Sequence, residues 1–428
     1  MYLFCLIRFA CRLPRMTDSG RELDLVIYGA TGFVGRLLAD YLARNAPDGV
    51  RIALAGRSQA KLEATRAALG PRAADWPIVI ADADDPVALA ELASRTRVVA
   101  TTVGPYAKYG TELITAAVAA GTDYVDLTGE VLFVRESIDA HHDKARATGV
   151  RIVHSCGYDS IPSDLGVHVL HQKVHADGAG ELGETTLVAS LRGGVSGGTI
   201  DSLRTQIDAS RPDPALRRLA ASPYSLSPDR TAEPDLGRQS DIAIVSGADI
   251  APPVRGWTAP FVMGSYNTRV VRRTNALRGY PYGRTFRYRE VMSVGGLPLS
   301  RLYAGGVAAL LGGLVLGLSV RPTRYLLDRI LPAPGRGPSE KTQRDGYFAM
   351  DIYTTTTTGA RYTARVAGDG DPGYRATAVM LGESALSLVL GRDRLPDTAG
   401  VLTPATALGD VLVERLRGAG VEIAARKL

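Results

Sequence analysis

The sequence predicts an α/β protein: a parallel, helix-wrapped sheet in the first third of the chain, then a second α+β domain built on a mostly antiparallel sheet. Three observations carry this. From Asp24 to about Ser155, short Val/Ile/Ala-rich runs alternate with longer amphipathic stretches, the pattern of repeated β-α units around a parallel sheet. After about residue 160 the strands lengthen and the turns become Gly-rich. The 428 residues, 45% of them hydrophobic, suffice to bury more than one core.

The strands of the first domain read DLVIYG (24–29), RIALAG (51–56), PIVIAD (77–82), RVVATTVG (97–104), DYVDLTG (123–129) and RIVHSCG (151–157). Helical stretches over 33–45, 58–69, 86–94, 110–120 and 132–148 separate them. Six strands with intervening helices make a complete dinucleotide-binding sheet of the Rossmann type, expected over 21–158. The second domain, 159–373, has strands expected at 184–191, 284–292, 347–357 and 362–366, with a Pro-rich, polar stretch from 211 to 260 expected to be irregular or inserted. A helical pair (374–390, 405–417) and a short apolar end (421–424) follow, and residues 374–428 are expected to return and complete the first domain. Residues 1–20 are expected to be an extension, disordered or preceding a mis-called start: the apolar run MYLFCLIRFACRLPR is broken by Arg8, lacks a small-residue cleavage site, and gives way to a more ordinary beginning at Met16.

Lys and Arg number 50 against 44 Asp and Glu, a net +6 spread along the chain and not gathered into a stripe. This favours phosphate-bearing small molecules or an anionic membrane surface over nucleic acid. Cys5, Cys11 and Cys156 lack metal or disulfide spacing, so a reducing cytoplasm is expected.

The strongest motif is Gly29-Ala30-Thr31-Gly32-Phe33-Val34-Gly35, which ends a strand and opens a helix. Gly29 permits the tight turn, Gly32 lets the backbone approach a pyrophosphate, and Gly35 lets helix and strand pack closely. The helix N-terminus then offers free N–H groups to the phosphates. At the end of the second strand, where an enzyme for NAD places a carboxylate against the ribose 2′-hydroxyl, the chain has Arg57-Ser58. A guanidinium there welcomes a 2′-phosphate, so NADPH is expected over NADH. Asp82 is placed to meet the adenine side, although capping of the next helix explains an acidic residue nearly as well. Thr102, Val103, Gly104 and Pro105 are placed to run past the nicotinamide ribose.

Other candidates are weaker. None of the 18 tyrosines has a Lys four residues later, so the Tyr-Lys machinery of short-chain dehydrogenases is absent. His168, His171 and His175 share a helix face, but their polar neighbours suggest a solvated surface, and no metal is expected. The segment CGYDSIPS (156–163) crosses from the last strand of the first domain into the second and should line the cleft. Tyr158 there and Tyr106 opposite could each donate a proton or hydrogen bond, or serve only an ordinary hinge; Cys156 has no evident base. LRGGVSGGT (191–199) reads as a close-packed turn rather than an anion nest. Residues 302–320 carry no charge and are bracketed by Arg301 and Arg321. That is just long enough to span a bilayer, but its five glycines and its place inside a soluble domain favour a buried or lipid-facing helix, and Arg284, Arg287, Arg289, Arg324 and Arg329 would suit an anionic membrane surface.

With YGATGFVG, LAGRS, TTVGPYAKYG, YVDLTGE, HSCGYDSIPSDLG and GGVSGGTIDS, the chain from about Leu23 to its end resembles the saccharopine dehydrogenase-like oxidoreductases, and among them the trans-acting enoyl reductases of polyketide-derived envelope lipids. The resemblance implies that NADPH delivers hydride to the β-carbon of an α,β-unsaturated acyl thioester while the α-carbon takes a proton, with Tyr106 and Tyr158 as candidate donors to the developing enolate. It also implies a lipophilic substrate, an acyl carrier domain of a polyketide synthase as a transient partner, and a cytoplasmic enzyme with contact to the inner face of the plasma membrane; a homodimer is left open. The alternatives are a saccharopine-type dehydrogenase acting on an amino-acid-like substrate and a non-catalytic, NADPH-binding, lipid-associated protein.

Overall fold

Strand β1 (Leu23–Tyr28) is buried at every position, as a strand covered on both faces must be. Its residues divide by side: Leu25 and Ile27 join one core cluster, while Leu23, Val26 and Tyr28 join another. The computed structural model describes residues 20–193, 197–211, 213–296, 298–327, 329 and 337–428.

Around β1 lie β2 (Ile52–Gly56), β3 (Ile78–Ile80), β4 (Thr96–Thr101), β5 (Asp123–Val125) and β6 (Arg151–Val153). All pair in parallel, in the order β3-β2-β1-β4-β5-β6. The order reverses between β1 and β4, and ligands of such sheets bind beyond the strands' carboxyl ends at that point. The separating helices, among them Phe33–Asn45 and Val131–Thr148, cover both faces.

The second sheet is built from β7 (Leu182–Arg192), β8 (Val245–Ser246), β9 (Trp257–Pro260), β10 (Arg287–Ser293), β11 (Tyr347–Thr356) and β12 (Arg361–Asp369). Its neighbours are antiparallel except β7 and β10. The tail is divided between the sheets. The short β13 (Gly400–Leu402) adds a seventh parallel strand beside β6. The apolar end expected to finish the first domain instead lies in β14 (Glu422–Lys427), antiparallel to β12 on the edge of the second sheet. Val421 and Ile423 are buried there, so their apolar character is used, but on the other sheet. The two sheets share one core: Ile27 and Leu38 belong to the same cluster as Phe348, Met350 and Val366, bridged by helices Ile161–Ala176 and Thr377–Leu390.

Two stretches differ from expectation. The expected irregular segment at 211–260 contains helix Pro214–Ala221 together with β8 and β9. Next to it, helix Gly264–Leu277 is almost wholly buried despite Arg269, Arg272 and Arg273. Its guanidinium groups are spent on fixed acceptors: Arg273 on Leu226 O and Val401 O, Arg272 on Tyr288 O, Arg269 on Asp241. A buried charge is tolerated when so bonded. Likewise His168 does not lie on a solvated face. It is buried, with Nε2 2.9 Å from Asp410 Oδ1 and Nδ1 2.8 Å from Arg278 Nη1.

Candidate active site

The turn after β1 is shaped by close approaches that no side chain could survive. Gly29 has φ +87°, and a Cβ on Gly35 would fall 2.1 Å from Gly29 O. Gly32 is the N-cap of helix Phe33–Asn45, and no side chain caps that helix. Its first amides therefore remain available to an anion, as a dinucleotide's pyrophosphate requires. Thr102 Oγ1 donates to Gly29 O at 3.3 Å, holding the loop after β4 against this turn. The Gly104–Pro105 peptide bond in that loop is cis.

A cavity of about 710 Å³ opens from this turn towards the second domain. Its walls include Gly29, Thr31, Gly32, Phe33, Val34, Arg57, Asp82 and the run Thr102–Val103–Gly104–Pro105, all expected to meet the cofactor. Ala30 and Gly35 lie beneath the turn and Ser58 stands outside, as the N-cap of helix Gln59–Ala68. Asp82 is exposed at the rim, and the cap of the following helix is Asp85, whose Oδ1 accepts from Val87 N and Ala88 N. Asp82 is thus not needed as a cap. The glycine cradle, the uncapped helix and Arg57 at the end of β2 fit an NADP(H) with its 2′-phosphate at the rim.

The candidate donors are placed differently. Tyr158 points into the core between the domains, its hydroxyl 3.8 Å from Met350 Sδ and its ring against Phe348. Tyr106 borders the cavity, but its hydroxyl donates to Thr101 O at 3.3 Å and accepts from Leu127 N at 3.2 Å. Cys156 is fully buried, and burial pushes its thiol well above the ordinary range. Of the Gly-rich turn at 191–199, residues 194–196 lie outside the described residues. The helix after it, Gly197–Ser210, forms a cavity wall through Ser202 and Gln206. Ser202 Oγ donates to Glu130 Oε1 at 2.8 Å, and Gln206 is bonded at both ends of its amide, to Val131 N and Gly129 O. This wall is therefore fastened to the loop that follows β5.

Tyr266 and Asp159 are among the polar residues that line the cavity, together with Tyr109, Ser265 and Thr377. Ser155, beside them, has φ +63°, a conformation uncommon for a residue other than glycine. It is held there by Asp126 Oδ1, which accepts from its N–H at 2.9 Å. The Ser155 hydroxyl lies 2.6 Å from Thr128 O and 2.5 Å from the Tyr266 hydroxyl. A carbonyl only accepts, so Ser155 gives its proton to Thr128 O and Tyr266 donates to Ser155. The Asp126 carboxylate is saturated, since it also accepts from Thr128 N, Tyr124 and His154. Asp159 remains. Burial, and secondarily the charge of Asp126, push its carboxyl up to about 7, so near neutrality it can still carry a proton to give. Its place after the sixth strand was legible in the sequence; its burial was not.

A fold with this switch-point cradle beside a second-domain cavity defines a dinucleotide-dependent oxidoreductase. Residues 25–153 match the saccharopine dehydrogenase NADP binding domain. The trans-acting enoyl reductase of Mycobacterium ulcerans is 49% identical over 96% of this chain and 100% of its own. That of Mycobacterium tuberculosis strain H37Rv matches at the same identity and coverage, and a second protein of that strain, provisionally given the same name, is 53% identical over 96% and 100%. Among solved structures, apo saccharopine dehydrogenase (L-Glu forming) of Saccharomyces cerevisiae superposes with a TM-score of 0.53 at 15% identity, over 95% of this chain and 100% of that one. The chain belongs to the trans-acting enoyl reductase family, and its first domain is an NADP(H)-binding domain of the saccharopine dehydrogenase type.

Proposed function

We propose that the chain uses NADPH to saturate the α,β-double bond of an acyl thioester, presented by the acyl carrier domain of a polyketide synthase that makes envelope lipids. The observation that carries this reading is the composition of the cavity. Its cofactor end has the glycine cradle and Arg57, whereas Leu127, Val262 and Met263 contribute to its far end beside Asp159 and Tyr266. Among the described lining residues Arg57 is the one cation, and it stands at the cofactor end. A saccharopine-type substrate brings several carboxylates, which call for basic partners; an enoyl thioester brings none.

Bound NADPH supplies hydride to the β-carbon. The protein's part is to orient the cofactor on the turn after β1, to exclude water with the wall formed by helix Gly197–Ser210, and to protonate the α-carbon. Asp159 is the proton's source in this reading. Tyr266, whose hydroxyl donates to Ser155, does not supply that proton.

The test is incubation of purified protein with NADPH and a carrier-bound or coenzyme A enoyl thioester. The reading predicts NADPH consumption and a product heavier by two hydrogens. Oxidation of saccharopine with release of an amino acid would support the dehydrogenase alternative, and cofactor binding without turnover on either substrate would point to a non-catalytic protein.

A further inference from the structure

Helix Ser300–Ser319 is 20 residues long with a mean hydropathy of 1.8, yet only 11% of its most apolar window is buried inside the protein. Leu302, Leu310 and Leu316 are each about two-thirds exposed or more, at 71%, 72% and 67%. Most soluble proteins do not leave a contiguous apolar surface of this kind uncovered. The short helix that follows, Arg321–Leu327, adds exposed Tyr325 and Leu326. Between Glu290 and Asp328 the chain has Arg301, Arg321 and Arg324 and not one acidic residue, although Arg324 is paired with Asp208 at 2.6 Å.

We infer that this helical pair docks on an anionic lipid bilayer, lying in its surface and not crossing it. Crossing is excluded by topology. β11, which follows the pair, is hydrogen-bonded to β7, which precedes it, so both ends of the pair are on one side of any membrane. A helix lying in the interface buries its apolar face to a depth of about 5–10 Å, with tyrosine and arginine at the headgroup level. Tyr303 and Tyr325 are exposed, and Arg329 stacks over Tyr325 with its guanidinium carbon 4.5 Å from the ring centre.

A lipid surface fits better than a second copy of the chain. Leu302, Gly306, Ala309, Leu310, Gly313 and Leu316 are exposed, and at about 100° per residue they already cover about a third of the helix circumference. Exposed Gly312 and Val315 extend that arc to well over half. A symmetric helix pair covers a narrower stripe, whereas lipid covers the whole arc. The helix also packs against helix Gly197–Ser210, the cavity wall. Docking would therefore bring the substrate cavity beside the bilayer.

The test is flotation of the full chain with vesicles of phosphatidylcholine and phosphatidylglycerol, and with pure phosphatidylcholine. The expected result is binding to the anionic vesicles, weaker binding to the neutral ones, and a loss of tenfold or more in partition for Leu310→Glu with Leu316→Glu. Those positions are exposed, so the double variant should keep its circular dichroism and its NADPH affinity. No binding of the wild type to anionic vesicles would overturn the inference, and so would equal binding by the double variant. A wild-type dimer that the double variant dissociates, without flotation, would also overturn it by making the helix a protein interface. None of these outcomes depends on turnover of a thioester.

Discussion

The Tyr266 phenol donates to the Ser155 hydroxyl at 2.5 Å, and that direction removes the more obvious proton donor from the cavity wall. In the proposed reading Asp159 is the proton source. Asp159→Asn should lower kcat by roughly 10²–10⁴, the usual contribution of a general acid, while NADPH binds as before. Tyr266→Phe removes one neutral hydrogen bond, a net effect of about 1 kcal/mol, and should change kcat far less. Steady-state kinetics with an enoyl thioester separates the two variants.

The protonation of Asp159 also fixes the pH profile. A general acid works in its protonated form, and this carboxyl is pushed up to about 7. The rate should be level below neutrality and fall as pH rises through about 7. In the Asn variant the residual rate should lose that inflection.

The proposed reading assigns selection for the 2′-phosphate to Arg57. Loss of one charge-assisted contact weakens binding by about 1.5–3 kcal/mol. Arg57→Ala should therefore raise the Kd for NADPH roughly 10- to 150-fold and leave that for NADH unchanged, as fluorescence titration would show.

Gly35 tests the cradle itself. A methyl group there would meet Gly29 O at 2.1 Å and Ala30 Cα at 2.9 Å, backbone that cannot swing aside as a side chain could. Gly35→Ala should force helix Phe33–Asn45 away from β1, costing about 1–3 kcal/mol of stability and most of the NADPH affinity. Thermal unfolding in the absence and presence of cofactor would register both losses.

Stability should depend on pH through Glu290. It is buried in a network with Asn267 and Tyr288, and burial raises its carboxyl from the ordinary 4.5 to about 7. The folded state holds this proton more tightly than the unfolded chain, so the contribution is complete below about 4.5 and is lost as pH rises to about 7. Asp159 and Asp164 shift in the same direction. Glu290→Gln should flatten the decline in Tm between those limits, relative to the wild type.

The first sheet was legible because each of its strands follows a turn signal and precedes a helix of normal length; helix Phe33–Asn45 has the bounds the sequence predicts. β13 was not, since three residues carry no periodicity. Helix Gly264–Leu277 was hidden by arginines that look solvated until their carbonyl and carboxylate partners are known. The cofactor side of the site could be read from local spacing, because a single β-α turn builds most of it. The direction of the Tyr266–Ser155 bond could not, since it depends on residues brought together from the segment after β6, the loop after β5 and a helix more than a hundred positions away.

Isotope labelling tests the central claim most directly. Turnover of an enoyl thioester with NADPH carrying deuterium at the transferable nicotinamide position should place the label on the β-carbon of the product. Turnover in deuterated water with ordinary NADPH should label the α-carbon. A product that carries no deuterium from the cofactor, or NADPH that is bound but never consumed, would contradict the account.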